Sequence, residues 1–332
     1  MTAMLLNYAR VAAVLAAFLL WPVHLPAATG EVLWDELNAQ TLELYREGRL
    51  PEAAAKAEEA IAVAESSFGP DHPKTALSLD RLSAIYESQQ KYGAALHRSS
   101  EALRIWKSQL GSNDPFVISM ELDAARVVDE QASTDVESIR RAYEPALSAI
   151  RSRFGAGHSY EATALLDMAD ALWRRGEREA AAEITTKAME ILSGSVGTAN
   201  QRYVETAMLC GDRNFELGRQ EAALLYYRKA VDAARRIQPN DAVMIAGALS
   251  GLAENCRVRE DFFNAEAHLK EALRLLEERG VSDPLWTSVL YQLRELYTAE
   301  GRSQEAAEMN VRAVRLEEET AEAQTQGAER QI

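Results

Sequence analysis

Apolar residues recur along this chain at helical spacing, and the helices they imply come in pairs. In Leu79-x-x-Leu82-x-x-x-Tyr86, steps of three and four residues place the three side chains on one helix face. No stretch alternates apolar and polar residues in the Val/Ile/Thr-rich manner of a strand. An Ala followed by an aliphatic residue recurs as Ala60-Ile61, Ala102-Leu103, Ala146-Leu147, Ala188-Met189, Ala230-Val231, Ala272-Leu273 and Ala313-Val314. The steps are 42, 44, 42, 42, 42 and 41 residues, a period that chance does not hold over so many copies.

Each copy reads as helix, turn, helix. Twelve residues before each Ala stands the turn position, filled by Gly48, Gln90, Thr134, Gly176, Gly218, Glu260 and Gly301. Glycine adopts the left-handed conformation that ends a helix, so Gly48 and its equivalents close the first helix of each pair. Small residues follow where the two helices must approach: Ala53, Ala95, Ala181, Ala223, Ala265 and Ala306. Several second helices end in a breaker such as Phe68-Gly-Pro-Asp-His-Pro73, Leu110-Gly-Ser-Asn-Asp-Pro115 or Gly280-Val-Ser-Asp-Pro284. Asp71, Asp114 and Asp283 stand to cap the next helix, with Pro in its first turn. Such a unit predicts two helices of roughly 16 residues, about 24 Å each.

This pattern resembles the tetratricopeptide repeat superfamily, and within it the 42-residue form known from kinesin light chains. The residues that carry the likeness are Gly69-Pro-Asp-His-Pro73 followed by Ala76, and Leu82-Ser-Ala-Ile-Tyr86 followed by Tyr92 and Ala95. The likeness covers about residues 33–317 and implies an all-α superhelix, or α-solenoid, of about seven helix-turn-helix repeats. The third copy, around Glu121–Ala146, departs from it, with two extra residues and a polar run, Asp129-Glu-Gln-Ala-Ser-Thr-Asp135, where the others turn tightly. A longer helix or a loosened loop is expected there. In the last copy Asn310 replaces a bulky apolar residue, as suits a terminal cap.

The resemblance further implies that first helices line a concave groove that binds a protein or peptide. It places Leu42, Ala84, Asp170, Asp212, Glu254 and Glu295 in one ligand-facing column, with Tyr45, Trp173, Phe215 and Arg257 in the neighbouring one. Tyr291 adds apolar surface beside the acids. Acids flanked by aromatic faces suit an extended basic segment bearing Lys or Arg. The same four acids also read as a solvated helix face. The Lys/Asn/Arg set with which the family's chaperone-tail binders hold a terminal carboxylate is missing from these columns.

The N-terminus reads as an address. Arg10, the apolar run Val11–Trp21, the breakers Pro22 and Pro26, and the small residues Ala27-Ala-Thr-Gly30 make the three parts of a secretory signal. The expected organisation is a signal peptide over 1–30 with Glu31 as mature start, a repeat array over 31–319, and a polar, disordered tail over 320–332. The implied destination is a bacterial periplasm or the exterior. The alternative is an uncleaved segment tethering an assembly factor or regulator to the inner membrane.

Composition then narrows the chemistry. A formal net charge of −15 excludes the dense basic surface that nucleic acid requires. The five His are scattered, with no pair at i, i+3 or i+4 to hold zinc. His72 and His158 share the inter-repeat turn, where capping is the ordinary role. Cys210 and Cys256 fall on inward columns, as buried small hydrophobes or as a disulfide between adjacent repeats. Gly194-Ser-Val-Gly197 is neither a nucleophile elbow nor a phosphate loop. The expectation is a scaffold and not an enzyme, with no cofactor, no metal and no small-molecule substrate.

Overall fold

The computed structural model describes residues 27–130, 135–237, 241–279 and 283–329. They form fourteen helices and no strand. The first helices of the pairs are α1 (Ala27–Arg46), α3 (Pro73–Ser88), α5 (Pro115–Glu130), α7 (Ser159–Arg174), α9 (Gln201–Glu216), α11 (Ala242–Val258) and α13 (Pro284–Ala299). The second helices are α2 (Leu50–Phe68), α4 (Tyr92–Leu110), α6 (Val136–Phe154), α8 (Arg178–Ser195), α10 (Gln220–Ile237), α12 (Phe262–Arg279) and α14 (Ser303–Glu329). This is the all-α solenoid of paired helices that the 42-residue period predicts.

Every described turn that the period placed inside a pair is built in one way. At Gly176, the N–H of Gly176 bonds to Trp173 O (3.0 Å) and that of Glu177 to Leu172 O (3.0 Å), so the chain reverses while using the last carbonyls of α7. The same two bonds recur at Gly48, Gln90, Gly218, Glu260 and Gly301. Each of these residues has positive φ, including Gln90 (58°) and Glu260 (59°), which lack glycine's freedom. Thr134, the seventh turn position, lies outside the described residues.

The alanine columns are the seams of the pairs. Ala53, Ala95, Ala181, Ala223 and Ala265 are fully buried, as are all seven alanines of the Ala-aliphatic motif. A methyl group lets two backbones come close where a larger side chain would hold them apart. Between the seams lie aliphatic side chains such as Leu79, Leu82, Ile85 and Ile105, packed on Ala57, Ile61 and Ala102. Each such Leu or Ile stabilises the fold by about 1.5–3 kcal/mol on burial. Trp34 of α1 packs in a second cluster with Leu37, Ala60 and Ala64, donating its Nε1–H to Ser78 Oγ at 2.8 Å.

The described residues gather into two compact units that divide between Ala149 and Ile150, inside α6, the helix that carries Pro145. A Pro within a helix removes one hydrogen bond of its ladder. α5 has the same 16 residues as α3, so it is not the longer helix considered for the third copy. Five residues separate α5 from α6 where three separate α3 from α4, so the two extra residues fall in the connection. Most of that connection, 131–134, lies outside the described residues.

Two expectations are corrected. Asp114 and Asp283 do cap α5 and α13, accepting the N–H of Phe116 (2.9 Å) and of Leu285 (2.8 Å). Asp71 does not cap α3. His72 does so, its Nδ1 accepting Lys74 N–H at 3.1 Å, because it directly precedes the first helical residue, Pro73. Asp71 instead pairs with Arg104 at 2.7 Å. His158 caps α7 in the same manner, at 3.2 Å to Tyr160 N, and stacks on Phe154 as His72 stacks on Phe68. Cys210 and Cys256 are buried free thiols, the first of the two readings of these residues; burial pushes the Cys210 thiol up to about 12. Finally, the stretch expected to fray continues as helix, α14 running to Glu329. Arg315 and Glu319 pair at 3.0 Å across one turn there, and the Ala- and Glu-rich run that follows is a good helix former.

Candidate partner-binding surface

In unit 1 the first-helix column is small and apolar. Leu42 and Ala84 lie exposed on α1 and α3, and with Tyr45, Thr41, Arg81 and Ile85 they line a cavity of about 170 Å³. Tyr45 is 39% exposed, and its hydroxyl shares a 2.9 Å hydrogen bond with Ser88 Oγ. An aliphatic column on neighbouring helices leaves this hollow because Ala84 is too short to fill the space beside Leu42.

In unit 2 the same columns carry charge, and every acid has a partner within the fold. Asp170, on α7, is half-exposed and pairs with Arg213 from α9. The Arg213 side chain is only 4% exposed; it also donates to Thr185 Oγ1, and its guanidinium lies 5.2 Å from the ring centre of Trp173. Arg178 approaches the same ring at 5.5 Å, so two cations hold the half-buried indole by attraction to its π cloud.

Asp212, on α9, accepts the Tyr227 hydroxyl at 2.7 Å. Its carboxyl is exposed by area, yet the flanking helices displace much of the nearby water. Burial therefore raises its pKa above the usual carboxylate range, and the Tyr227 bond opposes the shift. Tyr227 reaches it by passing between two first helices at glycines. A Cβ on either Gly211 or Gly251 would stand 2.5 Å from the Tyr227 ring. Phe215 lies one turn beyond Asp212, half-buried.

Glu254, on α11, is held by both arms of Arg257, Nε to Oε2 at 2.7 Å and Nη2 to Oε1 at 2.6 Å. Glu295, on α13, is the least tied. It is 55% exposed, and its one ion pair among the described residues is with Arg294, at 3.5 Å. Arg294 covers Tyr291 at 4.6 Å, and the Tyr291 hydroxyl donates to Glu317 at 3.1 Å. Tyr291, Glu295, Glu317 and Thr320 share a cavity of about 590 Å³.

The columns read from sequence thus stand on accessible parts of the first helices, Leu42, Tyr45 and Ala84 in unit 1 and the other eight residues in unit 2. What sequence reasoning missed are their partners, Arg213, Tyr227 and Arg294. A signal existed for two of them, since Arg213 directly follows Asp212 and Arg294 directly precedes Glu295. Tyr227 had none, because its role depends on two glycines from different repeats.

Comparison with known proteins agrees with this architecture. The tetratricopeptide repeat family model matches residues 42–108. The clustered mitochondria protein homolog of Emericella nidulans is 29% identical over 171 residues, 51% of this chain; the match spans only 14% of that protein. Among solved structures, a Podosopora anserina kinesin light chain protein with nearly identical TPR-like repeats is similar at 16% identity and a TM-score of 0.48. That match covers 61% of this chain and 96% of the other. A signal transduction ATPase with a tetratricopeptide repeat sensor, from Pyrococcus horikoshii, is similar at 14% identity and a TM-score of 0.56. It covers 87% of this chain and 43% of its own.

Proposed function

We propose that this chain, whose residues 42–108 match the tetratricopeptide repeat family model, is an exported scaffold that holds a partner polypeptide on the first-helix face of unit 2. Proteins of this superfamily generally hold protein or peptide partners rather than catalyse reactions. The observation that carries the reading is the recurrence of one acid per repeat, Asp170, Asp212, Glu254 and Glu295, beside the half-buried rings of Trp173, Phe215 and Tyr291. The partner segment is basic and extended. A carboxylate offers about four acceptor sites, so one internal hydrogen bond leaves room for a Lys or Arg from outside. The internal pairing of Asp170 and Glu254 makes Asp212 and Glu295 the principal contacts.

Export is supported by the sequence of the N-terminal segment, and the proposed destination is the periplasm or the exterior. Among the described residues no helix is long and apolar enough to cross a membrane. Residues 1–26, which contain the apolar run, lie outside them. Sequencing the N-terminus of the protein recovered from fractionated cells should give a start near Glu31. A full-length species held in the inner membrane would replace export with tethering.

The binding surface is tested by capture from the cell-envelope fraction followed by mass spectrometry. Glu295→Lys is the cleanest variant, since Glu295 has the weakest internal tie. Partner recovery should fall about tenfold, with an unchanged melting point, and wild-type capture should weaken with added salt. Full recovery with Glu295→Lys would retire this face as the binding site.

A further inference from the structure

Unit 2 has a second concavity, away from the acid column. α10, α11 and α12 enclose a cavity of about 420 Å³, within the roughly 300–1,000 Å³ usual for small-molecule sites. α11 contributes Leu252 and Cys256 to it. Glu254 sits between those two residues, about 200° around the helix from each at 100° per residue. The cavity and the acid column therefore lie on different sides of α11.

The lining joins an apolar floor to a cationic wall. Val231, Leu249 and Leu252 form the floor; Arg228 and Arg235 from α10 and Arg259 from the turn before α12 form the wall. Arg235 pairs with Glu271 at 2.6 Å and Arg259 with Glu221 at 2.8 Å, each through one terminal nitrogen. A guanidinium has five N–H donors, so both keep donors to spare. Arg228 is exposed and makes no hydrogen bond or ion pair among the described residues.

Glu271 and Glu221 offset the charge of the two arginines they bind, and two carboxylates stand in the lining itself. Of the two carboxylates in the lining, Asp261 is engaged by Asn264, whose side-chain amide donates at 2.7 Å. Asp232 is exposed, one helical turn from Arg228, and forms no ion pair with it. His268 completes the wall, and its pKa is lowered by burial first, with Arg228 and Arg235 acting in the same direction against Glu271 and Asp261. A neutral imidazole beside guanidiniums can still donate one hydrogen bond.

We propose that this cavity binds a small organic oxyanion, a carboxylate or phosphate monoester on a compact apolar body, with Arg228 as the main ion-pairing group. The apolar floor takes the body and the arginine wall takes the charge. Charge-assisted bonds to a guanidinium are the strong kind, and an unpaired Arg beside a cavity has that capacity unspent.

Calorimetry on the full chain tests this with four probes: phenyl phosphate, benzoate, the neutral benzamide and inorganic phosphate. At least one of the aromatic anions should bind, and their ranking tells phosphate from carboxylate recognition. Benzamide and inorganic phosphate should each bind at least about tenfold more weakly, lacking the charge or the body. Arg228→Gln should weaken the better anion about tenfold, and Asp232→Asn should tighten it a few-fold by removing a like charge. Both positions are exposed, so both variants should melt as the wild type does. Glu295→Lys should bind the anion unchanged, which separates this cavity from the partner surface. No binding of either aromatic anion, equal binding of benzamide or of inorganic phosphate, full binding by Arg228→Gln, or loss in Glu295→Lys would overturn the proposal.

Discussion

Where unit 1 has Ala84, unit 2 has Asp170, Asp212, Glu254 and Glu295; where unit 1 leaves an apolar hollow beside Leu42 and Tyr45, unit 2 ties its carboxylates to arginines and a tyrosine. Both faces grow from one repeat geometry, with the same turns and the same alanine seams. The difference teaches that the period fixes where a side chain stands, while neighbouring repeats decide what it does there. Both units bury polar side chains that must keep their partners, Glu121 with Lys107 in unit 1 and Arg213 with Asp170 in unit 2, so the contrast lies on the first-helix face.

The largest expected break in this contrast lies at Tyr227. Its ring is pinned between Gly211 and Gly251 while its hydroxyl holds Asp212. Gly251→Ala should destabilise the protein by about 1–3 kcal/mol, since the ring has no free side to move toward. Enlarging Ala84 to Leu in unit 1, beside an open hollow, should change stability by less than about 0.5 kcal/mol. Thermal unfolding of the two variants would show it, and equal losses would dissolve the contrast.

A smaller effect should appear in acid. Glu266 accepts bonds from Arg302 (2.9 Å), Lys270 (2.7 Å) and the Tyr297 hydroxyl (3.0 Å). Arg302 above all lowers its pKa to about 2, from an ordinary 4.5. A carboxyl held lower in the folded state contributes stability at pH above about 4.5, and that contribution is lost as the pH falls toward about 2. After solvent screening it should amount to about 1 kcal/mol. Denaturant titrations across this window should show a sloping limb that Glu266→Gln flattens; an unchanged slope would remove Glu266 from the account.

The smallest effect should be shared by the units. Gln90 in unit 1 and Glu260 in unit 2 are the two turn residues that hold positive φ without being glycine. Gln90→Gly and Glu260→Gly should each raise stability by about 0.5–1 kcal/mol, relieving the left-handed strain at some cost in chain entropy. Similar gains would confirm that the turns are equivalent and that the units differ only in what their faces carry.

Much of this was legible in the sequence, for a physical reason. The closest contacts of the fold recur at fixed places in the period, so Ala223 and Ala230 could be read as seams and Gly218 as a turn from spacing alone. Even Glu260 was placed correctly, against its own propensity. Long side chains were less legible, because their direction depends on the neighbouring repeat. Arg213, to which the spacing assigns no role, is buried against Asp170 and Trp173. The Asp71 cap failed over a single residue. In Asp114-Pro115 and Asp283-Pro284 the acid abuts the Pro that opens the helix, whereas His72 stands between Asp71 and Pro73.

The connection between α5 and α6 carries two more residues than its counterparts, while α5 keeps its usual length. Two residues added inside a helix would rotate everything beyond them by about 200° and turn a buried face outward. Placed between helices, they leave the apolar stripe of each helix uninterrupted. The extra length is therefore carried between two helices and not within one. A short epitope or a dye-bearing loop inserted in this connection would report on the protein without interrupting either stripe, which makes it the natural handle for following the scaffold and its partner in cells.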